Sequence, residues 1–573
     1  MAKKNNNSLA ERLFSPSYFR RRLAYTDALP QITMLGLIAG VASALIIVAF
    51  RSLFELPLEH WLPDGTPEGF ESLAPIWHLL LPIIGGGLLG AWLMLFKPNE
   101  RKTGVAHVMN CMVNNKGHMP FKNTLVQFFG GALAILTGQS AGREGPAVHL
   151  GSAVSAQLGQ FVYLPDNSIR LLIGCGTAGA IAASFNTPMA GVIFAMEVVM
   201  LEYTIIGFTP IIIAAVTATF VHNSLYGAEM AFMAPDIAFA SNAELPLILV
   251  YGVILGAMAA LFTKTITTAV NFSGKPVMLR MLIAGLITGL LATQVPQVMG
   301  MGTDSILAAI QGEYTIQLLI ALAFAKLFAT GISVGLGMPI GLIGPTLLMG
   351  ACAGGALGIL SQELITGPVS DPGFYAMLGM GAMMSAVLQA PLAGLVALLE
   401  LTHNPDIILP GMATVVIANI TCRYIFKQDS AFTEILHKQG VDFHADPVNL
   451  ALIHRGVASL MNEQLSHHTG EDVGGIIRSL DQGNEWILLH TDGDIHNVLQ
   501  RQQIVPEQLQ DSIQQSITTP TCHFGFCSSR ATLKEAWDLH NKRNYDCLLI
   551  TSRNGHVIGV LPTSEIKRFM RPE

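Results

Sequence analysis

The chain is 573 residues long, 51% hydrophobic and only 12% charged, with a mean hydropathy of +0.49. A soluble chain carries about 25% charged residues, so the polar surface needed to cover a water-exposed fold of this size is missing. That excludes a cytosolic enzyme, a disordered protein and a disulfide-built secreted scaffold. A net charge of −7 leaves no basic field for nucleic acid. The composition predicts a protein that lives mostly in a bilayer.

Residues 1–30 open with Lys3, Lys4 and Asn5 to Asn7, which is no cleavable signal, and Arg20, Arg21 and Arg22 precede the first apolar run, Ile32 to Phe50. From about 31 to 425, long apolar runs are broken by Gly and Pro. From about 434 the chain turns polar, after Lys427-Gln428-Asp429. Three parts are expected: a cytoplasmic segment 1–30, a transmembrane domain 31–440 and a cytoplasmic domain 448–573. Loops rich in Lys and Arg face the cytoplasm. The loop Glu55 to Pro75 has neither and is expected outside; Lys97, Arg101, Lys102, Lys116 and Lys122 return the chain inside. Asn223 to Glu244 is again external by this rule, Lys264, Lys275 and Arg280 internal, and Arg423 and Lys427 keep the C-terminus in the cytoplasm with the N-terminus.

The sequence repeats itself. Gly145-Pro146…Gly151 recurs as Gly344-Pro345…Gly350, and Pro188-Met189-Ala190-Gly191…Glu197 as Pro391-Leu392-Ala393-Gly394…Glu400; the offsets are 199 (145 to 344) and 203 (188 to 391). The first span (from about 32) starts inside and its counterpart (Leu247 to Phe262) starts outside, so repeats of about 31–222 and 244–425 are inverted, which places a substrate site between them near mid-membrane. The runs Val148 to Val162, Gly341 to Gly355 and Leu378 to Leu388 are short and Gly- or Pro-interrupted, predicting broken helices that end inside the membrane around a cavity or ligand.

Gly142-Arg143-Glu144-Gly145-Pro146 carries the strongest chemical signal. Pro suits a first helical turn and the glycines let backbone approach a ligand. A helix starting there points unpaired N–H groups and about half a positive charge inward, which favours an anion. Gly341-Leu342-Ile343-Gly344-Pro345 repeats the design without the carboxylate. Glu144 then reads as a tethered anion that competes with a permeant ion when ionised; the plainer reading is a helix cap or a partner of Arg143. The seven cysteines are scattered without a CxxC, and Cys522 and Cys527 beside His523 lack further ligands, so no metal is predicted. A metal-ion transporter, the remaining class, lacks clustered acidic or thiol ligands.

These motifs, with Gly337-Met338-Pro339-Ile340 before the second Gly–Pro turn, resemble the chloride-channel (CLC) family in bacterial form over about residues 30 to 440. The resemblance implies an all-α polytopic fold with inverted repeats and broken helices. It also implies a homodimer in the cell membrane with one chloride pathway per subunit, no required cofactor, Glu144 as the gating residue, and anion contacts from Gly145, Leu342 and Ile343. Two family anion-site positions fall on Thr103 (in Lys102-Thr103-Gly104-Val105-Ala106) and on Phe432, which replaces a Tyr and offers no hydroxyl. Family exchangers carry a second Glu directly after the position of Glu197; here it is Val198, which cannot hold a proton. The expectation is therefore a passive chloride channel gated by Glu144, with a Cl⁻/H⁺ antiporter using a non-standard internal proton path as the alternative. Glu197 and Glu400 are as well explained as helix-terminus ligands, and Lys326 as a snorkelling side chain, as by any transport role.

The C-terminal part reads as two α/β units. Asp472 to Leu480 is a helix and Trp486 to Thr491 a strand; then Ala531-Thr532-Leu533 opens a helix, Asp546 to Thr551 and His556 to Leu561 are strands about Arg553-Asn554-Gly555, and Thr563-Ser564 caps a last helix. The first unit shows no clear second strand. The pattern resembles a tandem CBS pair, which implies a regulatory role, with an adenine nucleotide as one ligand and a simple dimerising cap as the other reading.

Overall fold

A computed structural model describes residues 23, 29–203, 205–227, 239–365, 367–441, 447–469, 472–491, 494–501 and 522–570. Arg20 to Arg22, residues 228–238 of the expected external loop and the turn Asp492-Gly493 lie outside the described residues. Two compact units divide the chain: one comprises Thr33–Gln160 and Arg170–Phe443, the other Met1–Ile32, Phe161–Ile169 and His444–Glu573.

The larger unit is helical, because a bilayer leaves the backbone no partner but itself. Among the described residues eight helices are long and apolar enough to cross a membrane, including Leu29–Trp61, Leu245–Val270, Ile316–Gly335 and Ile343–Leu364. Asp166–Phe185 is almost wholly enclosed by protein, whereas Leu29–Trp61 leaves Met34, Leu37 and Leu45 exposed. Exposed apolar side chains of this kind are the lipid-facing surface of a multi-pass membrane protein.

Glycine decides how the inner helices meet. Glu144–Phe161 crosses Asp166–Phe185 at Gly151 and Gly176, where a Cβ on either residue would strike the other's carbonyl. Ile343–Leu364 crosses Pro372–Leu388 at Gly350 and Gly379 with the same mutual exclusion. The offsets between these crossings, 151 to 350 and 176 to 379, are the 199 and 203 of the sequence repeat. Small residues let helix backbones touch where no hydrophobic force separates lipid from protein. Ile343–Leu364, which starts at the second Gly–Pro turn, continues for 22 residues, longer than the run Gly341 to Gly355 suggested, because its glycines are packing surfaces.

In the smaller unit, Leu465–Thr469 pairs parallel with Trp486–Thr491, which pairs antiparallel with Asp494–Gln500. Phe524–Ser528, Cys547–Thr551 and Val557–Pro562 repeat that topology, and both middle strands carry an irregularity near their C-terminal end. The first unit therefore does have the second strand that its sequence hid. Only Asn497, Val498 and Leu499 of it are buried, so the apolar alternation is too short to read. Thr563 is also reassigned: it is the first residue of the last helix and its hydroxyl donates to the Tyr545 carbonyl (2.8 Å) instead of capping.

Gly350→Leu forces side-chain atoms into the Gly379 carbonyl, an overpacking that costs about 1–3 kcal/mol. We expect a lower thermal unfolding midpoint in detergent; an unchanged midpoint would contradict backbone contact at this crossing.

Candidate functional site

The two Gly–Pro turns meet. Gly142 N–H donates to the Gly341 carbonyl (3.0 Å) and Gly341 N–H to the Gly142 carbonyl (2.8 Å), an isolated antiparallel bridge between positions 199 residues apart. From it the helices Glu144–Phe161 and Ile343–Leu364 depart, with first intrahelical bonds from Ala147 to Arg143 (2.9 Å) and Thr346 to Leu342 (3.0 Å). The amides before those bonds have no helical partner, so two helix N-termini present unpaired donors at one place.

Glu144 occupies that place. It is 2% exposed, and its carboxylate fills the space that side chains would take at Gly142, Gly341 and Gly344. Its backbone partners are its own amide and that of Gly344, across the repeat; its Oε2 has no partner. Arg143 does not pair with it. That guanidinium contacts Glu55 (3.4 Å), donates to the Ser184 carbonyl (2.8 Å) and lies over the Phe185 ring (4.9 Å). The Glu144 carboxyl thus sits between the two helix N-termini.

Two cavities flank this centre. One, of about 470 Å³, is lined by Thr103, Gly145, Leu342 and Phe432 together with Arg101, Lys102, Arg280 and Lys438 and, among the described residues, by no Asp or Glu. Cations without counter-charges focus an anion-attracting potential. Thr103 does not spend its hydroxyl on capping the helix it precedes, and Phe432 presents a ring edge or face in place of a hydroxyl. The other cavity, about 30 Å³, is lined by Glu144 and Ile343 with apolar residues such as Phe185, Phe194, Leu347 and Leu401. Of the six anion and gating positions expected from sequence, Thr103, Gly145, Leu342 and Phe432 line the first cavity, while Glu144 and Ile343 line the second. Val198 is buried in a π-helical turn, Ala195–Met200, and lines neither.

Several supporting contacts join remote parts of the chain; Glu197 and Glu400 are the helix-terminus ligands the sequence allowed, but their partners, like the roles of Gln127 and Glu68, were hidden because they lie far away in sequence. Glu197 accepts from Leu392 N–H (3.3 Å) and Ala393 N–H (2.6 Å), while Glu400 accepts from Met189 N–H (2.9 Å) and Ala190 N–H (2.7 Å). Each glutamate caps the other repeat's Pro-x-Ala-Gly helix. Lys326, 0% exposed, does not snorkel; its Nζ donates to the Val298 (3.1 Å) and Gly300 (2.9 Å) carbonyls, and Gly300 in turn accepts from Ala141 N–H (3.2 Å), beside the Gly142 turn. Gln127 accepts from Gly104 N–H (2.7 Å) and donates to the Pro339 carbonyl (2.8 Å), tying the Thr103 loop to the second Gly–Pro turn. Glu68, in the connection between the first two spans, accepts from Gly302 N–H (2.6 Å) and Thr303 N–H (2.8 Å).

The family profile described as "Voltage gated chloride channel" matches residues 85–423, more than half of the chain, and the chain belongs to that family. It is 30% identical over 417 residues to the H(+)/Cl(-) exchange transporter ClcA of Vibrio campbellii, which covers 71% of this chain and 88% of that one. In fold it is similar to a slow cyanobacterial Cl-/H+ antiporter (TM-score 0.61, 21% identity, 73% of this chain and 98% of that chain). It is also similar to a eukaryotic CLC transporter (TM-score 0.57, 17% identity, 95% and 98%). The passive channel expected from Val198 is overturned by the Vibrio relative and the cyanobacterial antiporter, which are exchangers by name. The physical flaw lies in the inference from one position: a missing carboxylate removes one proton carrier, whereas water or another side chain serves equally to move a proton.

Burial, then the nearby Asp304 charge, push Glu68 up to about 8 from 4.5. A carboxyl raised in the native state stabilises at low pH and loses that contribution as pH climbs from about 4.5 through about 8. We expect Glu68→Gln to flatten the fall of the unfolding midpoint between pH 5 and 9, read as the difference from the parent protein. A constant difference across that range would contradict the assignment.

Proposed function

We propose that the protein exchanges chloride for protons across the cell membrane, working as a homodimer with one pathway per subunit and both termini in the cytoplasm. The carrying observation is the position of Glu144 between two unlike cavities, one cationic and wide, the other apolar and about 30 Å³, enough for a water. A carboxylate so placed serves both ions. Ionised, it holds the place of an anion between the Gly145 and Gly344 turns. Protonated, it loses its attraction to the helix N-termini and leaves the place to chloride. In this reading Thr103, Gly145, Leu342, Ile343 and Phe432 contact the permeant ion, chiefly through backbone amides, and Glu144 alternates between chloride competitor and proton carrier. The name of the Vibrio relative supports exchange. The cytoplasmic termini follow from the Lys and Arg distribution. The exposed Leu392, Leu409, Met412, Val416 and Ile420 offer an apolar face to a second subunit.

The C-terminal unit is, in the same reading, a CBS pair that adjusts transport. Its two sheets share one topology, and a cavity of about 300 Å³ lined by Trp486, Tyr545, Thr563 and Lys567 offers ring faces and a cation to an adenine nucleotide.

Proteoliposomes test the exchange. A chloride gradient should drive protons against their own gradient, and Glu144→Gln should cut that proton movement by about 100-fold or more while chloride still crosses. Chloride flux with no proton movement in the parent protein would reject exchange.

A further inference from the structure

Two cysteines of the C-terminal unit meet sulfur to sulfur. Sequence spacing sets Cys522 beside Cys527, but the fold sets it against Cys547, with the Sγ atoms 3.0 Å apart. Both thiols are free, and the residues are 8% and 1% exposed. The strand register explains the meeting. Phe524–Ser528 runs parallel to Cys547–Thr551 with Phe524 opposite Cys547. Cys522 stands two residues before Phe524, and both cysteines enter one apolar cluster with Trp486, Val498 and Val560. His523 and Asp546, the neighbours of the two cysteines, are bonded to each other twice. Asp546 N–H donates to the His523 carbonyl (2.7 Å), and His523 N–H donates to Asp546 Oδ2 (2.9 Å). The chain itself therefore holds the two sulfurs in contact.

Both cysteines line the cavity of about 300 Å³, with His540 and Lys567 on the same wall. That space is roughly ten times what one water occupies, so the pair borders room for a small solute. The Cys547 thiol donates to Cys522 and holds it below the usual thiol range, against the opposing effects of burial and of the Asp546 carboxylate. Cys547 correspondingly keeps its proton. A thiolate is the nucleophile of sulfur chemistry, which makes Cys522 the attacking sulfur and Cys547 the resolving one. The remaining cysteines lie apart from the pair. Cys111, Cys175, Cys352 and Cys422 are buried in the larger unit, and Cys527 packs in a separate cluster. No group of three or more His, Cys, Asp or Glu side chains among the described residues could hold a metal ion, so the two thiols are not the core of such a site.

We infer that Cys522 and Cys547 form a reversible modification site, a dithiol that hydrogen peroxide closes to a disulfide in the wall of this cavity. Cytoplasmic thiols are kept reduced, and disulfides form there chiefly as transient sensing bonds. The inference takes from the proposed function only the cytoplasmic placement of this unit. In the first step the Cys522 sulfur attacks a peroxide oxygen and the O–O bond breaks. Cys522 becomes a sulfenic acid, and the departing hydroxide takes the Cys522 proton and leaves as water. The Cys547 sulfur then attacks the Cys522 sulfur, the S–O bond breaks, and a second water leaves with the Cys547 proton. One peroxide and two thiols thus give one disulfide and two waters, with two electrons passing from sulfur to oxygen. A dithiol reductant reverses the bond by exchange. Closure draws the sulfurs from 3.0 Å to about 2.05 Å. It ties the entry of Phe524–Ser528 to Cys547–Thr551 where the clusters of both sheets meet.

The test treats the full-length protein in detergent with hydrogen peroxide and maps its unreduced peptides by mass. We expect two of the seven thiols to be lost, the peptides carrying Cys522 and Cys547 to be joined, and dithiothreitol to part them. Cys547→Ser removes the resolving sulfur, so dimedone should trap a sulfenic acid on Cys522. Cys522→Ser should abolish the peroxide reaction of Cys547. A parent protein that forms no 522–547 link, or whose Cys522 advances to sulfinic acid instead, overturns the inference. Cells quenched with acid before lysis, without peroxide, should hold both cysteines as thiols. A link already present there would overturn the switch and the cytoplasmic placement together, whereas failure to close under peroxide leaves that placement standing. Should a serine variant not fold, the peptide map of the parent protein decides alone.

Discussion

Two backbone hydrogen bonds between Gly142 and Gly341 hold the functional centre of this molecule together. They bring turns from distant parts of the chain to one point and aim two helix N-termini there. Each such terminus carries about half a positive charge together with unpaired N–H groups. A basic side chain at the same spot would bind an anion more tightly and release it more slowly. Amide dipoles attract without trapping, and they let a carboxylate on the same loop compete on nearly equal terms. Chloride passage and proton coupling, as proposed, both rest on that near balance.

The surrounding structure serves to keep the bridge in place. Glycine at positions 142, 341 and 344 leaves the space that the Glu144 carboxylate fills. Lys326 gathers the carbonyls of Val298 and Gly300, and Gly300 holds Ala141 beside the turn. A lysine without exposure is tolerable here because two of its three donors meet carbonyls. Gln127 fastens the Thr103 loop to the second turn, and the crossed caps of Glu197 and Glu400 tie the repeats together a second time. The glycine crossings at 151/176 and 350/379 set how closely the helices behind the site approach.

Much of this was legible in the residues. The Gly–Pro turns, their 199-residue offset and the placement of Glu144 follow from local chemistry, since a turn, a helix start and an acidic first-turn residue are properties of a few consecutive positions. What stayed hidden was pairing. The spacing of Glu197 and Glu400 was visible, yet nothing in either segment says that each caps the other's helix. Lys326 looked like a side chain reaching for water until its carbonyl partners were placed around it. The strand Asp494–Gln500 escaped because burial covers only three of its residues. Val198 misled in the opposite way: a valine indeed holds no proton, but the conclusion let one position decide the transport class.

The central claim, that backbone amides of two paired turns bind the permeant anion, is open to one direct measurement. Crystals of Glu144→Gln soaked in bromide should give an anomalous peak within hydrogen-bond reach of the amides around Gly145 and Gly344. Bromide found only beside Arg101, Lys102, Arg280 or Lys438, with the space between the turns empty, would contradict it.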